Sequence, residues 1–333
     1  MKAVVFLLTF FLGQSLYCKN EANKNVDTWL IFKGPKGTNY VYWDTQQSIL
    51  TKSGYSLNDT SFGALTFTLN QMWEKDTKYI AWNDEPAPNP MAPTGQPYNF
   101  DYGHSKGVWI WNPNTQEAII LQHSIPLFPQ TPNMVDSYNG LYENAWEYGQ
   151  HLTCISTNLS TLIQLSDLMQ LVKPNIYDFK IDDSTPIKLQ KLSQGAFDSN
   201  PICTFNTFMS SINNITFFAK SKQWNNELYA DCIALQTQNS LSVESWIRGD
   251  EEGAYCNSTY PVIDIKNVNY GFDEMSFSSW DDHSKWAVGS SIFCAGDINR
   301  MTTQYERGGT AFCFNFPSLI IGMNAVITDT DSC

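Results

Sequence analysis

Residues 102–112 read YGHSKGVWIWN, and residues 281–289 read DDHSKWAVG. Both contain His-Ser-Lys, and both run directly into an apolar stretch. The chain has only four histidines, His104, His123, His151 and His283, and two of them share this tripeptide. On an extended strand, residues i and i+2 point to the same face. Each unit therefore sets an imidazole beside an ammonium group: His104 with Lys106, and His283 with Lys285. One His-x-Lys alone is a weak signal, and the plain reading of it is an ordinary strand entrance. The repeat in a histidine-poor chain is a stronger signal. It predicts two related halves packed as a pseudo-dimer.

Composition frames that reading. The chain has 333 residues, 42% hydrophobic and 16% charged, which is the make-up of a folded protein with a sizeable core. Its 11 Trp, 16 Tyr and 20 Phe favour β-structure. Residues 1–15 read as a secretory signal peptide: Lys2, then AVVFLLTFFL, then the small residues Gly13 and Ser15 at a plausible cut. That apolar run is too short for a membrane span. Eight cysteines, an even number in an exported chain, predict disulfides, and no CxxC pair suggests a zinc site. Sequons at Asn58, Asn158, Asn214 and Asn257 fit a glycosylated surface. The net charge of −13 repels polyanions at neutral pH and fades in acid. Such a charge also serves solubility alone.

Short strands dominate. TWLIFKGP and NYVYWD flank a Gly-containing turn and predict a hairpin. KYIAWND, GVWIWN and EAIILQHSIP read as further strands. GALTFTLNQMW and LSTLIQLSDLMQLV (159–172) have helical spacing, the second with Ser160 or Thr161 as its cap. ITFFAKSKQWNNELYADCIAL reads as strand, basic turn, strand, echoing the first hairpin. Residues 83–99, with five prolines, form an extended connection before the first motif. The halves divide near residue 172, giving 16–172 and 173–333 within a single domain.

The chemistry follows from the pairs. An imidazole attacks phosphorus or donates a proton, and lysine binds a phosphate oxygen as a point charge. Two pairs serve the two sides of an in-line displacement without a metal. Asn299, in GDINR between Cys294 and Cys313, can donate an amide hydrogen to a phosphate; GDIN read blandly is only a turn. His123 is either a satisfied core histidine or the first-half counterpart of Asn299. His151 reads as structural.

At these residues the chain resembles the deoxyribonuclease II family. WLIFKGP with YVYWD, GHSKGV, HSIPLFP, YGQHLTC, FAKSKQWNNELY, DDHSKWAV and GDINR…ERGGTAFC carry the resemblance, in the same order over nearly the whole mature chain. One departure is Ala287, where many animal members have Cys. The resemblance implies an α/β fold of the phospholipase D-like type, its two halves built of β-sheets flanked by helices. It implies an endonuclease that cuts DNA in acid without metal or other cofactor and leaves 3′-phosphate ends. It implies a catalytic set of His104, Lys106, His123, His283, Lys285 and Asn299. It also implies the disulfides Cys18–Cys154, Cys256–Cys333 and Cys294–Cys313, with Cys203–Cys232 as an additional pair. DNA contact is expected mainly at backbone phosphates, with Lys33, Lys36, Lys220 and Lys222 as candidates. A lysosomal or secreted protein, monomer or homodimer and away from membranes, is expected. The competing readings are another phosphodiesterase of this fold and an inactive secreted DNA-binding member.

Overall fold

The computed structural model describes residues 15–47, 49–88 and 100–333. Residues 1–14 of the expected signal segment and 89–99 of the proline-rich stretch lie outside the described residues.

β1 (Thr28–Lys33) and β2 (Tyr40–Asp44) form the expected hairpin. α1 (Ala64–Leu69) is the core of the first expected helix. β3 (Lys78–Asn83), β4 (Lys106–Trp111), β5 (Glu117–His123) and β6 (Gln150–Asn158) follow. α2 (Leu159–Val172) matches the second expected helix, but Asn158 caps it, its side chain accepting from the Thr161 amide at 3.0 Å. An Asn side chain placed just before the first turn reaches its free N–H groups, which is why it displaces Ser160 and Thr161 from that role. Lys173, left-handed at φ 56°, ends the helix.

β7 (Ile176–Lys180) then pairs with β3, so the first sheet takes chain from beyond the expected division at 172. That sheet runs β7-β3-β4-β5-β6-β1-β2, with Thr51–Lys52 at its edge. The second is built from β8 (Cys203–Met209), β9 (Asn214–Lys220), β10 (Leu241–Glu244), β11 (Val262–Asn269), β12 (Trp286–Val288), β13 (Phe293–Gly296) and β14 (Gly309–Phe314). Its order is β8-β9-β14-β13-β12-β10-β11, with Ser276–Ser278 at its edge and Ile327–Thr330 also paired to β11. α3 (Pro317–Val326) follows β14 as α2 follows β6. The run β3-β4-β5-β6-β1 in one sheet has the same neighbours as β10-β12-β13-β14-β9 in the other, all antiparallel. The fold is α/β and mostly sheet.

Both faces of the central strands are covered, so β1, β2 and β14 are buried along their whole length, whereas β7 and β8 at the sheet edges carry exposed residues. Leu30, Phe32 and Trp109 of the first sheet meet Phe217, Trp286 and Phe312 of the second in one core, together with Leu162, Leu165 and Met169 of α2. Trp29, Ile31 and Val108 face a separate outer cluster under α1. Among the described residues, no helix is long and apolar enough to cross a membrane.

One expected strand is not a strand. LYADCIAL forms a π-helical turn over Tyr229–Ala234, continued by Leu235–Thr237. The Glu227 carboxylate accepts from the Ala230 amide, and Asp231 accepts from the Glu227 amide at 3.1 Å. These side chains satisfy the turn's free N–H groups and favour helix over strand. The turn is tied to β8 by Cys203–Cys232. All four expected bridges are present: Cys18–Cys154, Cys203–Cys232, Cys256–Cys333 and Cys294–Cys313. Asn58, Asn158, Asn214 and Asn257 are all exposed.

Candidate active site

The two His-Ser-Lys units meet because each half holds the other's motif by its backbone. His104 N–H donates to the Gly308 carbonyl, just before β14, at 2.9 Å. His283 N–H donates to the Gly149 carbonyl, just before β6, also at 2.9 Å. The strand registers make these two glycines equivalent, since Lys33 faces Gln150 and Lys220 faces Gly309. Both are packed too closely for a side chain. A Cβ on Gly308 would lie 2.1 Å from the Val172 carbonyl oxygen, and one on Gly149 would lie 2.4 Å from Asp282 Oδ1.

His104, Lys106, His283, Lys285 and Asn299 line one cleft of about 440 Å³. Asn299 is nearly buried, and its Oδ1 has no hydrogen-bond partner in the protein. Lys106 is paired with wholly buried Asp84, which also takes Arg307 Nη2 at 3.0 Å and lies 3.8 Å from His104 Nε2. The Lys285 ammonium bonds the His283 carbonyl at 2.5 Å. His151 is fully internal; its Nδ1 accepts from the Lys285 backbone amide at 3.2 Å, so it helps to hold the second motif.

His123 is not part of the cleft lining. Its ring is buried edge-on to Phe128, and its Nδ1 accepts from the Ile125 amide at 3.2 Å. Nor does it correspond to Asn299. Gly107 faces Gln122 as Trp286 faces Ala295, which aligns His123 with Gly296 and Pro126 with Asn299. Pro126 does line the cleft.

Two of the four candidate DNA-contact lysines are corrected. Lys33 and Lys220 are buried at the ends of the equivalent strands β1 and β9. Lys33 Nζ bonds the carbonyls of Gly34 (2.6 Å), Gly37 (2.9 Å) and Trp146 (3.3 Å). Lys220 Nζ bonds those of Asn226, Gln304 and Tyr305 at 2.9–3.0 Å. A buried ammonium needs such acceptors, and these leave it facing away from solvent. Lys36 is exposed and Lys222 is partly exposed, the latter 3.8 Å from Asp101.

Charge and burial act together on the histidines. Burial first, then Lys106, Arg307 and Lys285, holds His104 well below the ordinary 6.5. Burial, then Lys285, Lys106 and Arg248, pulls His283 down to about 2. Burial and Lys106 bring Lys285 down to about 7. Burial and the neighbouring cations thus both disfavour protonation of the two imidazoles, and an anion bound between the motifs would oppose that effect. Among the described residues, one acidic group has metal-ligand spacing, Glu251, Asp264 and Asp331. It lies outside the cleft lining. Lys266 pairs with Glu251 and Asp331, and Arg300 pairs with Asp264.

Asp297 carries the opposite shift, raised to about 6 by burial against hydrogen bonds from Thr310 and Ser105. The folded protein then binds a proton below about pH 6 that the unfolded chain, with an ordinary value of 3.8, takes up later. Stability rises as pH falls across that window. Asp297→Asn keeps an acceptor for the Thr310 amide and removes the titration. The wild type is expected to gain about 2–3 kcal/mol relative to the variant between pH 7 and pH 4, read by urea unfolding. A pH-independent difference would contradict the assignment.

Sequence reasoning missed Asp84, Arg307, Tyr148, Trp246 and Arg248. Asp84 sits in NDEP and Arg307 in ERGG, neither of which marks a partner. Strand register relates Asp84 to Trp246: Trp82 faces Gly107 and Glu244 faces Trp286, so each residue stands two places beyond its strand pair. The site is therefore asymmetric, with a carboxylate beside His104 and an indole beside His283, whose ring contacts Trp246 at 3.9 Å between centroids.

Two imidazole–ammonium pairs, one from each half, thus converge on one cleft. Residues 17–333 match the deoxyribonuclease II family model, and the chain belongs to that family. It is 28% identical to cell-death-related nuclease 7 of Caenorhabditis elegans, over 99% of this chain and 92% of that one. It is likewise 28% identical to deoxyribonuclease-2-beta of Mus musculus, over 94% and 92%. A putative deoxyribonuclease-2 of Burkholderia thailandensis is 29% identical over 90% and 89%.

Proposed function

We propose that this protein is an acid endodeoxyribonuclease that hydrolyses DNA phosphodiester bonds without metal and leaves 3′-phosphate ends. The observation that carries the reading is the convergence of both His-Lys pairs and Asn299 on one cleft. Family membership supports DNA as the substrate. The matching strand order of the two sheets supports a phospholipase D-like pseudo-dimer, in which one chain completes one site. The disulfides support passage through the secretory pathway to a lysosomal or extracellular location.

In the first step a nitrogen of neutral His104 attacks phosphorus. The N–P bond forms, the P–O5′ bond breaks, and protonated His283 gives its proton to O5′. In the second step His283 takes a proton from water, whose oxygen attacks phosphorus. The N–P bond breaks, freeing His104 and the 3′-phosphate. Lys106, Lys285 and the Asn299 amide hold the phosphate oxygens and stabilise charge as it develops. Metal independence is supported by the donor set: Lys106, Arg248 and Lys285 line the cleft against the one carboxylate of Glu85, which lies 3.9 Å from Lys106, and Asp84 is already committed to Lys106 and Arg307. Asp84 beside His104 favours that ring as the oriented nucleophile. His283, hard to protonate, is a strong proton donor once charged, which favours work in acid.

Plasmid cleavage at pH 5 in EDTA tests the reading. Nicking with 3′-phosphate ends is expected, and a requirement for added divalent metal would overturn it.

A further inference from the structure

We propose that Glu244 is a positioning residue that works as a neutral acid: its proton closes a hydrogen-bond chain that fixes the turn carrying His283, and losing that proton loosens this half of the site, a control that rests on the nuclease reading above. Glu244 ends β10 and is wholly buried. Its Oε2 lies 2.7 Å from Ser279 Oγ, and the Ile265 carbonyl oxygen of β11 lies 2.7 Å from the same hydroxyl. A serine hydroxyl has one hydrogen to give. The carbonyl can only accept, so that hydrogen goes to Ile265, and the hydrogen between Ser279 and Glu244 comes from the carboxyl group. An ionised Glu244 would compete with Ile265 for the single Ser279 hydrogen, and one of the two buried contacts would lose it. The other carboxyl oxygen, Oε1, has no hydrogen-bond partner in the protein, which an ionised group tolerates poorly.

The surroundings favour the neutral form. The titratable groups that face Glu244 are Asp282 before His283, Asp264 and Lys266 of β11, and Tyr270 beyond it. Lys266 is taken by Glu251 and Asp331, and Arg300 by Asp264. Burial first, then Asp282, pushes the carboxyl group well above its ordinary 4.5. The Glu244–Ser279 bond joins the two segments that flank His283. From Glu244 the chain runs through Ser245 to Trp246, whose ring contacts His283. Ser279 opens the short turn Ser279–Asp281, and its carbonyl accepts from the Asp282 amide at 3.3 Å, one residue before His283. In the first half Trp82 stands where Glu244 does, since Trp82 faces Gly107 as Glu244 faces Trp286. The Trp82 indole donates to Ser105 Oγ of the first motif at 2.9 Å. An indole N–H does not titrate, so at this position only the His283 half responds to pH.

The test compares the wild type with Glu244→Gln, whose amide stays neutral and donates to Ser279 in place of the acid proton. The unfolded chain releases the Glu244 proton near 4.5, whereas the folded protein keeps it to higher pH. The stability that this proton supplies is complete below 4.5 and is lost as pH rises towards the folded value. Relative to Glu244→Gln, the folding equilibrium constant of the wild type is expected to fall about 10-fold per pH unit between about pH 5 and pH 7, read by urea unfolding. On plasmid DNA, Glu244→Gln is expected to carry cleavage to higher pH than the wild type. Glu244→Leu, which lacks the bond, is expected to lower kcat at pH 5 by about 10–10²-fold with KM nearly kept. If Glu244→Leu does not fold, the glutamine comparison decides alone. A stability difference that does not vary with pH overturns the neutral acid, and loss of cleavage at the same pH in both proteins overturns its control of the site. The two readings also fail separately. Cleavage with no pH-dependent difference in stability sinks the role of Glu244 and keeps the nuclease; a pH-dependent difference in a protein that does not cleave DNA keeps Glu244 as the neutral tie and sinks the nuclease.

Discussion

Replacing His104 by alanine is expected to lower DNA cleavage at pH 5 by about 10⁴-fold or more, with binding of DNA retained. His283→Ala is expected to cost about 10²–10⁴-fold on the same substrate. The two losses differ in kind, and that difference separates the roles. A thymidine 3′-phosphodiester with a p-nitrophenolate leaving group needs no proton at the departing oxygen. On it, His283→Ala should recover much of the wild-type rate in the first turnover, read as a burst of p-nitrophenol, with later turnovers slow because water lacks its base, whereas His104→Ala should show no burst. The reverse pattern would exchange the assignments. Equal and complete loss on both substrates would mean that the two rings act as one unit. The structural basis is the unequal setting of the pair: Asp84 is 3.8 Å from His104 Nε2, while Tyr148 and Trp246 box His283.

Asp84→Ala is expected to destabilise the protein by about 3–5 kcal/mol at neutral pH, measured as a fall in the urea midpoint at unchanged slope. Asp84 is wholly buried and pairs with Lys106 and Arg307, which are themselves almost fully buried. Truncation leaves two cations in the interior without their anion. Desolvation dominates that balance, because burying an unpaired charge costs more than the pair itself contributes. Asp84→Asn keeps an acceptor oxygen and is expected to cost less. Arg307 also bonds the Tyr102 carbonyl at 3.0 and 3.2 Å, so Asp84 ties the segment before the first motif to the loop before β14. Activity should therefore fall along with stability. A loss below about 1 kcal/mol in Asp84→Ala would show that the charges are solvated or paired elsewhere.

Much of the architecture is legible from local pattern. The β1–β2 hairpin, α2 and the strands after each motif follow from hydrophobic runs and turn residues, whose signals lie within one element. The cysteine pairings came with the family resemblance and not from spacing. LYADCIAL was misread because a short apolar run fits strand and helix alike; capping by Glu227 and Asp231 decides it. Lys33 and Lys220 were misread for a related reason. A lysine at a turn reads as solvated, and only the carbonyls of distant loops, such as those of Trp146 and Gln304, draw it inside.

The sequence by itself determined that the chain carries His-Ser-Lys twice, each time leading into an apolar strand, because a repeated tripeptide and the run after it are local patterns; the structure places His104, His283 and Lys285 just before those strands and not on them. Tertiary structure decided that the copies share one cleft. It did so through hydrogen bonds between halves, from His104 to Gly308 and from His283 to Gly149. It also decided which residue stands beside each imidazole, Asp84 in one half and Trp246 in the other. Those neighbours arrive by strand register across the sheets, and register is set by packing over long sequence separations, which no local pattern encodes.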